Sequence, residues 1–204
     1  MSSQSISDDD INFALDLVVN HVPKKCILVC ICLGDNQLQS DFLLRMISNL
    51  DPIHIFIYDD NINSKFKKLL IKKYSSKLTI GNTYKSMIIG YPTFCYAPYC
   101  PFWVYLDLLA CNFKYLTTSF YILGNNLVHL FTEYNTMKSP ERKVNKDKTD
   151  MLFLAIRSLV QNMDVTNVHP RIAQSFLYFK PNQLIKIDEY IEEYFESNCK
   201  QIEK

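Results

Sequence analysis

The stretch CILVCICLGD, residues 26–35, decides the fold because it indicates a strand that is buried on both faces. Its apolar residues are continuous rather than alternating, and this is typical of a central strand in a parallel sheet. Downstream, residues 36–50 place Leu38, Phe42 and Met46 on one apolar stripe, which predicts a crossover helix. Residues 52–60, PIHIFIYDD, predict a second buried strand. Together these stretches predict a strand–helix–strand unit.

The rest of the chain continues this alternation. Helices are predicted over residues 8–20, 63–77 and 101–113, strands over 77–81, 93–98 and 117–126, and residues 82–92 have no clear pattern. Further on, the pattern predicts a helix over 127–137, an exposed linker over 138–148, a helix over 150–163, a last strand over 173–179 and an amphipathic C-terminal helix at about 183–198. We therefore expect an α/β fold, a single Rossmann-like domain over residues 1–204, with a mostly parallel sheet and helices on both faces.

Composition excludes several classes of function. The 204 residues carry a net charge of +1, which gives no general attraction to nucleic acid or an anionic membrane. There is no apolar run of about 18 residues and no signal-peptide pattern at the start of the sequence. The seven cysteines are an odd number and several lie in apolar runs, which suits a reducing compartment. We expect a cytoplasmic or nuclear protein that does not act at a membrane.

Four strand ends carry the candidate functional residues, because ligands of open parallel sheets lie at the carboxyl ends of the strands. The segments are CLGD (32–35), YDD (58–60), APYC (97–100) and GNN (124–126). The candidate ligand-binding residues are Gly34, Asp35, Asp59, Pro98, Tyr99, Cys100, Gly124 and Asn125.

The sequence is compatible with several kinds of chemistry at this edge of the sheet. Gly34 alone does not make the G-x-G-x-x-G fingerprint of a dinucleotide site. Asp59 stands where an acidic residue holds a ribose hydroxyl in Rossmann-type proteins, although strand-end acids also cap the next helix. Cys100, beside a helix start, is a candidate reactive thiol with a lowered pKa, but no histidine base accompanies it. No catalytic residue is assigned.

Metal binding is not expected, because no second compact pair of cysteines or histidines completes a tetrahedral site. Cys26, Cys30 and Cys32 share one face of the first strand by its period of two, and we interpret them as core residues. The histidines are interpreted as structural. Lysines in 63–77 and in the linker form basic runs, which are usually solvated faces, so nucleic-acid binding is not expected.

Three motifs resemble the sensitivity-to-red-light-reduced (SRR-like) family: TFCYAPYCP (93–101), LDLLACNF (106–113) and LGNNL (123–127). The resemblance covers a core of residues 26–130. This sequence departs from the family pattern at Cys32, which replaces a glycine of a G-x-G turn, at Asp60, which replaces a proline, at Tyr99, which replaces a histidine, and at Asn126, which replaces a serine.

The resemblance implies a regulatory protein without an established catalytic mechanism. Family members are linked to light and circadian signalling, to control of haem biosynthesis and to cytoskeletal stability. We therefore expect ligand or protein-partner binding at the strand edge, with no cofactor identified. The alternative is a degenerate transferase that depends on a nucleotide or on S-adenosylmethionine. A third reading is an interaction module whose C-terminal helix docks on a partner.

Overall fold

The described residues contain seven strands that form one sheet, and its amino-terminal half follows the predicted alternation of strands and helices. The computed structural model describes residues 8–81, 91–98, 100–101, 104–105, 108, 120–127, 130, 164–169 and 174–178. In chain order the elements are α1 (Asp8–His21), β1 (Ile27–Ile31), α2 (Gln37–Leu50), β2 (His54–Tyr58), α3 (Ser64–Tyr74), a 3-10 turn (Ser75–Lys77), β3 (Leu78–Gly81), β4 (Thr93–Ala97), β5 (Phe120–Asn125), β6 (Asp164–His169) and β7 (Gln174–Tyr178).

The strand order places a topological switch between β1 and β4. The order across the sheet is β3-β2-β1-β4-β5-β7-β6. The first five strands pair in parallel, whereas β7 runs antiparallel to both β5 and β6. Because the chain leaves β1 toward one edge and returns to β4 on its other side, the connections diverge there and leave a crevice at the carboxyl ends. This confirms the Rossmann-like, mostly parallel sheet.

Both faces of the central strands are covered. All five residues of β1 and all five of β4 are buried. Leu28 and Cys30 of β1 belong to a core that also contains Val18 of α1, Met46 of α2 and Leu70 of α3. Since side chains alternate along a strand, the buried residues Val29 and Ile31 face the other side. The continuous apolar run thus reflects a strand that is enclosed on both sides.

Two features of the carboxyl-terminal half were not foreseen. Strand β6 lies in residues 164–169, which the sequence left unassigned, and the predicted strand 173–179 is β7, the antiparallel strand. The described residues 104, 105, 108, 127 and 130 are helical, in agreement with the helices predicted there. The linker 138–148, the helix 150–163 and the C-terminal helix 183–198 lie outside the described residues. No described helix is long and apolar enough to cross a membrane.

Candidate functional site

A pocket of about 320 Å³ lies at the carboxyl ends of β1 and β2, between the loops that lead into α2 and α3. Its size is at the lower end of the range for small-molecule sites, about 300–1,000 Å³. The described residues that line it are Ile31, Cys32, Gly34, Tyr58, Asp59, Asp60 and Asn61. All of them come from one strand–helix–strand unit.

Backbone in the left-handed region shapes the first wall of the pocket. Gly34 has φ 67° and Cys32 has φ 55°. Glycine adopts this conformation without penalty, whereas a residue with a Cβ is strained in it by about 1–2 kcal/mol. A Cβ added at Gly34 would meet no atom within 4 Å, so open space lies above this glycine. The loop thus leaves room for another molecule to approach its backbone closely.

The Asp59 carboxylate joins the two loops. Its Oδ2 accepts a hydrogen bond from the Gly34 amide at 2.5 Å, and its Oδ1 accepts one from the Asn61 amide at 2.7 Å. An ionised carboxylate offers about four lone pairs, two on each oxygen. After these two hydrogen bonds, each Asp59 oxygen has one lone pair that can accept another donor. Asp59 therefore holds the pocket together and retains capacity to accept hydrogen bonds from a ligand.

A second link fixes the same two loops. The Asn63 Nδ2 donates to Asp35 Oδ1 at 2.6 Å, while the Asn63 Oδ1 caps α3 by accepting from the amides of Lys65 and Phe66 at 2.9 and 3.2 Å. Such a cap satisfies amides that have no partner inside the helix. Asp35 is exposed and acts here as a loop tie rather than as a lining residue. The walls of the pocket are consequently preformed.

The charge of the pocket is negative. Asp59 is half-buried and Asp60 is exposed, and both line the pocket, whereas no described lining residue is a lysine or arginine. Tyr58 contributes an aromatic wall, and burial raises the pKa of its hydroxyl, so it stays neutral at physiological pH. This electrostatic setting disfavours phosphate groups and favours neutral or cationic ligands.

A separate set of contacts ties the ends of β4 and β5 to the helical residue Tyr105. The buried Tyr105 hydroxyl donates to the Ala97 carbonyl oxygen and accepts from the Asn125 amide at 2.7 Å. The Asn125 Nδ2 donates to the Cys100 carbonyl oxygen at 2.9 Å. Gly124 lies against the Tyr105 hydroxyl, where a Cβ would overlap it. We call Ala97, Cys100, Tyr105, Gly124 and Asn125 the strand-end junction; it is linked to the end of β1, because the Cys100 thiol donates to the Ile31 carbonyl oxygen at 3.6 Å.

The cysteines divide differently from the sequence interpretation. Cys26 and Cys30 lie in the core as expected, but Cys32 is half-buried in the pocket wall, because its left-handed φ ends the strand alternation. The expectation of a lowered pKa at Cys100 is wrong: its hydrogen bond with Cys32 and its burial raise its pKa. The pKa of the Cys32 thiol is the one that is lowered, because the Cys100 thiol hydrogen-bonds to it.

The structure brings the predicted residues to one sheet edge in two groups. Gly34 and Asp59 line the pocket with Asp35 tied beside it, whereas Cys100, Gly124 and Asn125 belong to the strand-end junction. Pro98 is buried after β4, and Tyr99 lies outside the described residues. Sequence reasoning missed the roles of Asn61, Asn63 and Tyr105; for Asn63, its place just before a helical pattern was a usable signal. Among the described residues, no group of three metal-ligating side chains converges.

Comparison with solved structures finds weak similarity. The 23S rRNA methyltransferase ErmE matches with a TM-score of 0.44 and 9% identity, covering 96% of this chain and 76% of that one. An uncharacterized protein from Listeria monocytogenes serotype 4b matches with a TM-score of 0.47 and 11% identity, covering 97% and 82%. Magnesium protoporphyrin IX methyltransferase from Synechocystis PCC 6803 matches with a TM-score of 0.41 and 10% identity, covering 88% and 90%. Similarities this weak support no inference about a ligand or a reaction.

Sequence comparison is more informative about the family. No curated protein matches the sequence. The SRR1 domain, however, matches residues 19–197, a span that contains every described strand and both loops of the pocket. The resemblance carried by the three sequence motifs is thereby confirmed, and the chain belongs to the SRR1 domain family.

Proposed function

We propose that this SRR1-domain protein is an intracellular regulatory protein that binds a ribonucleoside ligand without phosphate groups, of the S-adenosylmethionine class, in the pocket at Asp59. The observation that carries the proposal is the pairing of Gly34 and Asp59 across a preformed, negatively charged pocket. The pathways suggested by the family resemblance, clock and light signalling, haem synthesis and cytoskeletal stability, are settings in which such a protein would act through protein partners.

Hydrogen-bonding capacity supports a ribose. Each Asp59 oxygen already accepts one backbone amide, and its second lone pair suits one of two neighbouring hydroxyl groups. An acidic residue at the end of the second strand holds ribose hydroxyls in Rossmann-type sites generally. The open space above Gly34 leaves room for the sugar or for the group attached to it.

Charge selects among ribose-bearing ligands. With Asp59 and Asp60 in the lining, a triphosphate or pyrophosphate would face repulsion, whereas a sulfonium or ammonium group would be attracted. The pocket volume of about 320 Å³ is also small for a complete dinucleotide. A nucleoside that carries a positive charge satisfies both conditions.

A thermal-shift series tests the proposal. S-adenosylmethionine, S-adenosylhomocysteine, adenosine, ATP and NAD are each added to the purified chain. A ligand at about 100 times its Kd stabilises the folded state by about 2.7 kcal/mol, and we expect such a shift with the adenosyl ligands and none with ATP or NAD. Asp59→Asn should abolish the shift. Asp41→Asn, which removes an exposed carboxylate on α2 outside the described pocket lining, is the matched control and should keep it.

Two results would contradict the proposal: no shift with any adenosyl ligand, or an equal shift in both aspartate variants. The fate of bound S-adenosylmethionine separates binding from catalysis. We expect it to be recovered unchanged after incubation with cell extract. Conversion to S-adenosylhomocysteine that requires Asp59 would instead establish the transferase alternative.

A further inference from the structure

Two thiols from different strand ends meet at the wall of the pocket. Cys32 follows β1 and is half-buried in the lining, whereas Cys100 follows β4 and is only 2% exposed. The Cys100 thiol donates to the carbonyl oxygen of Ile31, the residue directly before Cys32, at 3.6 Å, and it also lies within side-chain contact of the Cys32 thiol. The parallel pairing of β1 with β4 brings them together.

The backbone of Cys32 is the second observation. Its φ of 55° lies in the left-handed region, which a residue with a Cβ adopts at a penalty of about 1–2 kcal/mol. Gly34, two positions later, adopts a similar φ without penalty, so glycine is the residue that this turn accepts freely. Strained backbone of this kind concentrates at functional sites, where a residue other than glycine is kept because its side chain has a function.

We propose that Cys32 and Cys100 form a reversible disulfide and constitute a redox-active dithiol at the edge of the pocket. The oxidant is a low-molecular-weight disulfide, and oxidised glutathione serves as its representative. The proposal concerns the thiols alone and does not depend on the identity of the ligand.

The exchange proceeds in two steps that balance. The Cys32 thiolate attacks one sulfur of the glutathione disulfide, forms a mixed disulfide and expels one glutathione thiolate, which takes up the proton that Cys32 lost. The Cys100 thiol then gives up its proton and attacks the Cys32 Sγ, and this expels the second glutathione as a thiol. Two electrons pass from the two cysteines to the glutathione disulfide, and the products are one protein disulfide and two glutathione thiols.

The assignment of roles follows from exposure and thiolate character. Of the described cysteines, Cys32 alone is not buried, and its hydrogen bond from Cys100 lowers its pKa, which favours its thiolate as the attacking group. Cys100 lies against the Ile31–Cys32 peptide and is only 2% exposed, so it suits the second, internal attack better than the first attack on a dissolved disulfide. Burial raises the pKa of Cys26 to about 11 and also raises the pKa values of Cys30 and Cys95, so these three compete poorly with Cys32 for the first attack on the glutathione disulfide.

Thiol trapping with peptide mapping tests the proposal. The full, reduced chain is equilibrated at rising ratios of oxidised to reduced glutathione, quenched with acid, alkylated, digested and analysed by mass spectrometry. We expect Cys32 and Cys100 to lose alkylation one for one, a peptide pair linked through them to appear, and dithiothreitol to reverse both changes. Cys95→Ala, which removes a buried neighbouring thiol, is the matched control and should give the same titration.

Variants of the pair separate its two steps. Cys100→Ser should stop the reaction at a stable mixed disulfide of Cys32 with glutathione. Cys32→Ser and Cys32→Gly should both leave Cys100 alkylatable at every ratio; the glycine variant relieves the left-handed strain, so it reports even where the serine variant folds poorly. The proposal is overturned if the wild-type chain accumulates the mixed disulfide while Cys100 stays reduced. It is equally overturned if the linked peptides join other cysteines.

Discussion

Gly124→Ala tests how tightly the strand-end junction is packed. A Cβ at this position would overlap the Tyr105 hydroxyl and lie 2.8 Å from the Ala97 carbonyl oxygen. Tyr105 cannot swing away, because it is fully buried and its hydroxyl is held by Ala97 and Asn125. Overpacking typically costs about 1–3 kcal/mol, and a buried carbonyl left without its donor costs about 1–3 kcal/mol more. We expect a loss of about 4 kcal/mol of unfolding free energy, or about 8–16 °C in Tm for a chain of this length.

Urea unfolding followed by circular dichroism measures the loss. Gly81→Ala is the matched control at the end of β3, since its Cβ would lie at an ordinary 3.5 Å from Tyr58 Cε1, and we expect a change within about 0.5 kcal/mol. In a Tyr105→Phe background the overlap with the hydroxyl disappears, so Gly124→Ala should cost less there than in the wild type. Equal losses for the two glycine variants, or the same cost of Gly124→Ala in both backgrounds, would refute the reasoning.

Two further predictions concern a loop residue and an ion-pair cluster. Cys32→Gly should raise the free energy of unfolding by about 0.5 kcal/mol, because the release of about 1–2 kcal/mol of left-handed strain outweighs the added chain entropy of about 0.5–1 kcal/mol. Cys32→Ala keeps the left-handed strain and should not raise the free energy of unfolding. A chemical-denaturation experiment in which Cys32→Ala is more stable than Cys32→Gly would contradict this. Lys25 and Lys77 hydrogen-bond to Asp51 and lower its pKa to about 2, so its contribution is complete above its ordinary pKa of about 4 and fades as pH falls toward 2. Asp51→Asn should therefore be less stable than the wild type at pH 6, and the difference should be much smaller near pH 2, where about half of the Asp51 carboxylates are protonated, and smaller in high salt; a difference of unchanged size at pH 2 in thermal unfolding would show that the ion pairs are not its cause.

The parallel half of the fold was predictable because its strands carry their own signal. Residues 27–31 and 94–97 are apolar without interruption, as is typical of enclosed strands, and the stripe of α2 has a helical period. Strand β6 has no such pattern: among the described strands it pairs with β7 alone, at the end of the strand order, and Asp164 and Thr166 are half-buried. An edge strand is specified mainly by pairing with the adjacent strand, and the local hydrophobic pattern carries no information about that pairing.

The candidate site shows the same division between local and distant information. The rule that ligands lie at the carboxyl ends of parallel strands led to Gly34 and Asp59 without knowledge of their contacts. It did not reveal that Asn125 is held through Tyr105. That hydrogen bond joins positions 20 residues apart, and no sequence motif links the two residues. Cys32 was wrongly assigned to the core for a related reason. The alternation of side chains along a strand ends where φ becomes positive, and a cysteine in the sequence does not indicate a positive φ.

The pocket is formed by a contiguous part of the sequence. Its described lining residues all lie between positions 31 and 61, within the unit of β1, α2 and β2 with the loop that follows it. Contacts of short sequence separation require little loop closure and form readily in folding. The pocket is thus a local product of one strand–helix–strand unit, so that insertions or sequence drift in the β5–β7 half would alter global stability while leaving the shape of the pocket nearly unchanged.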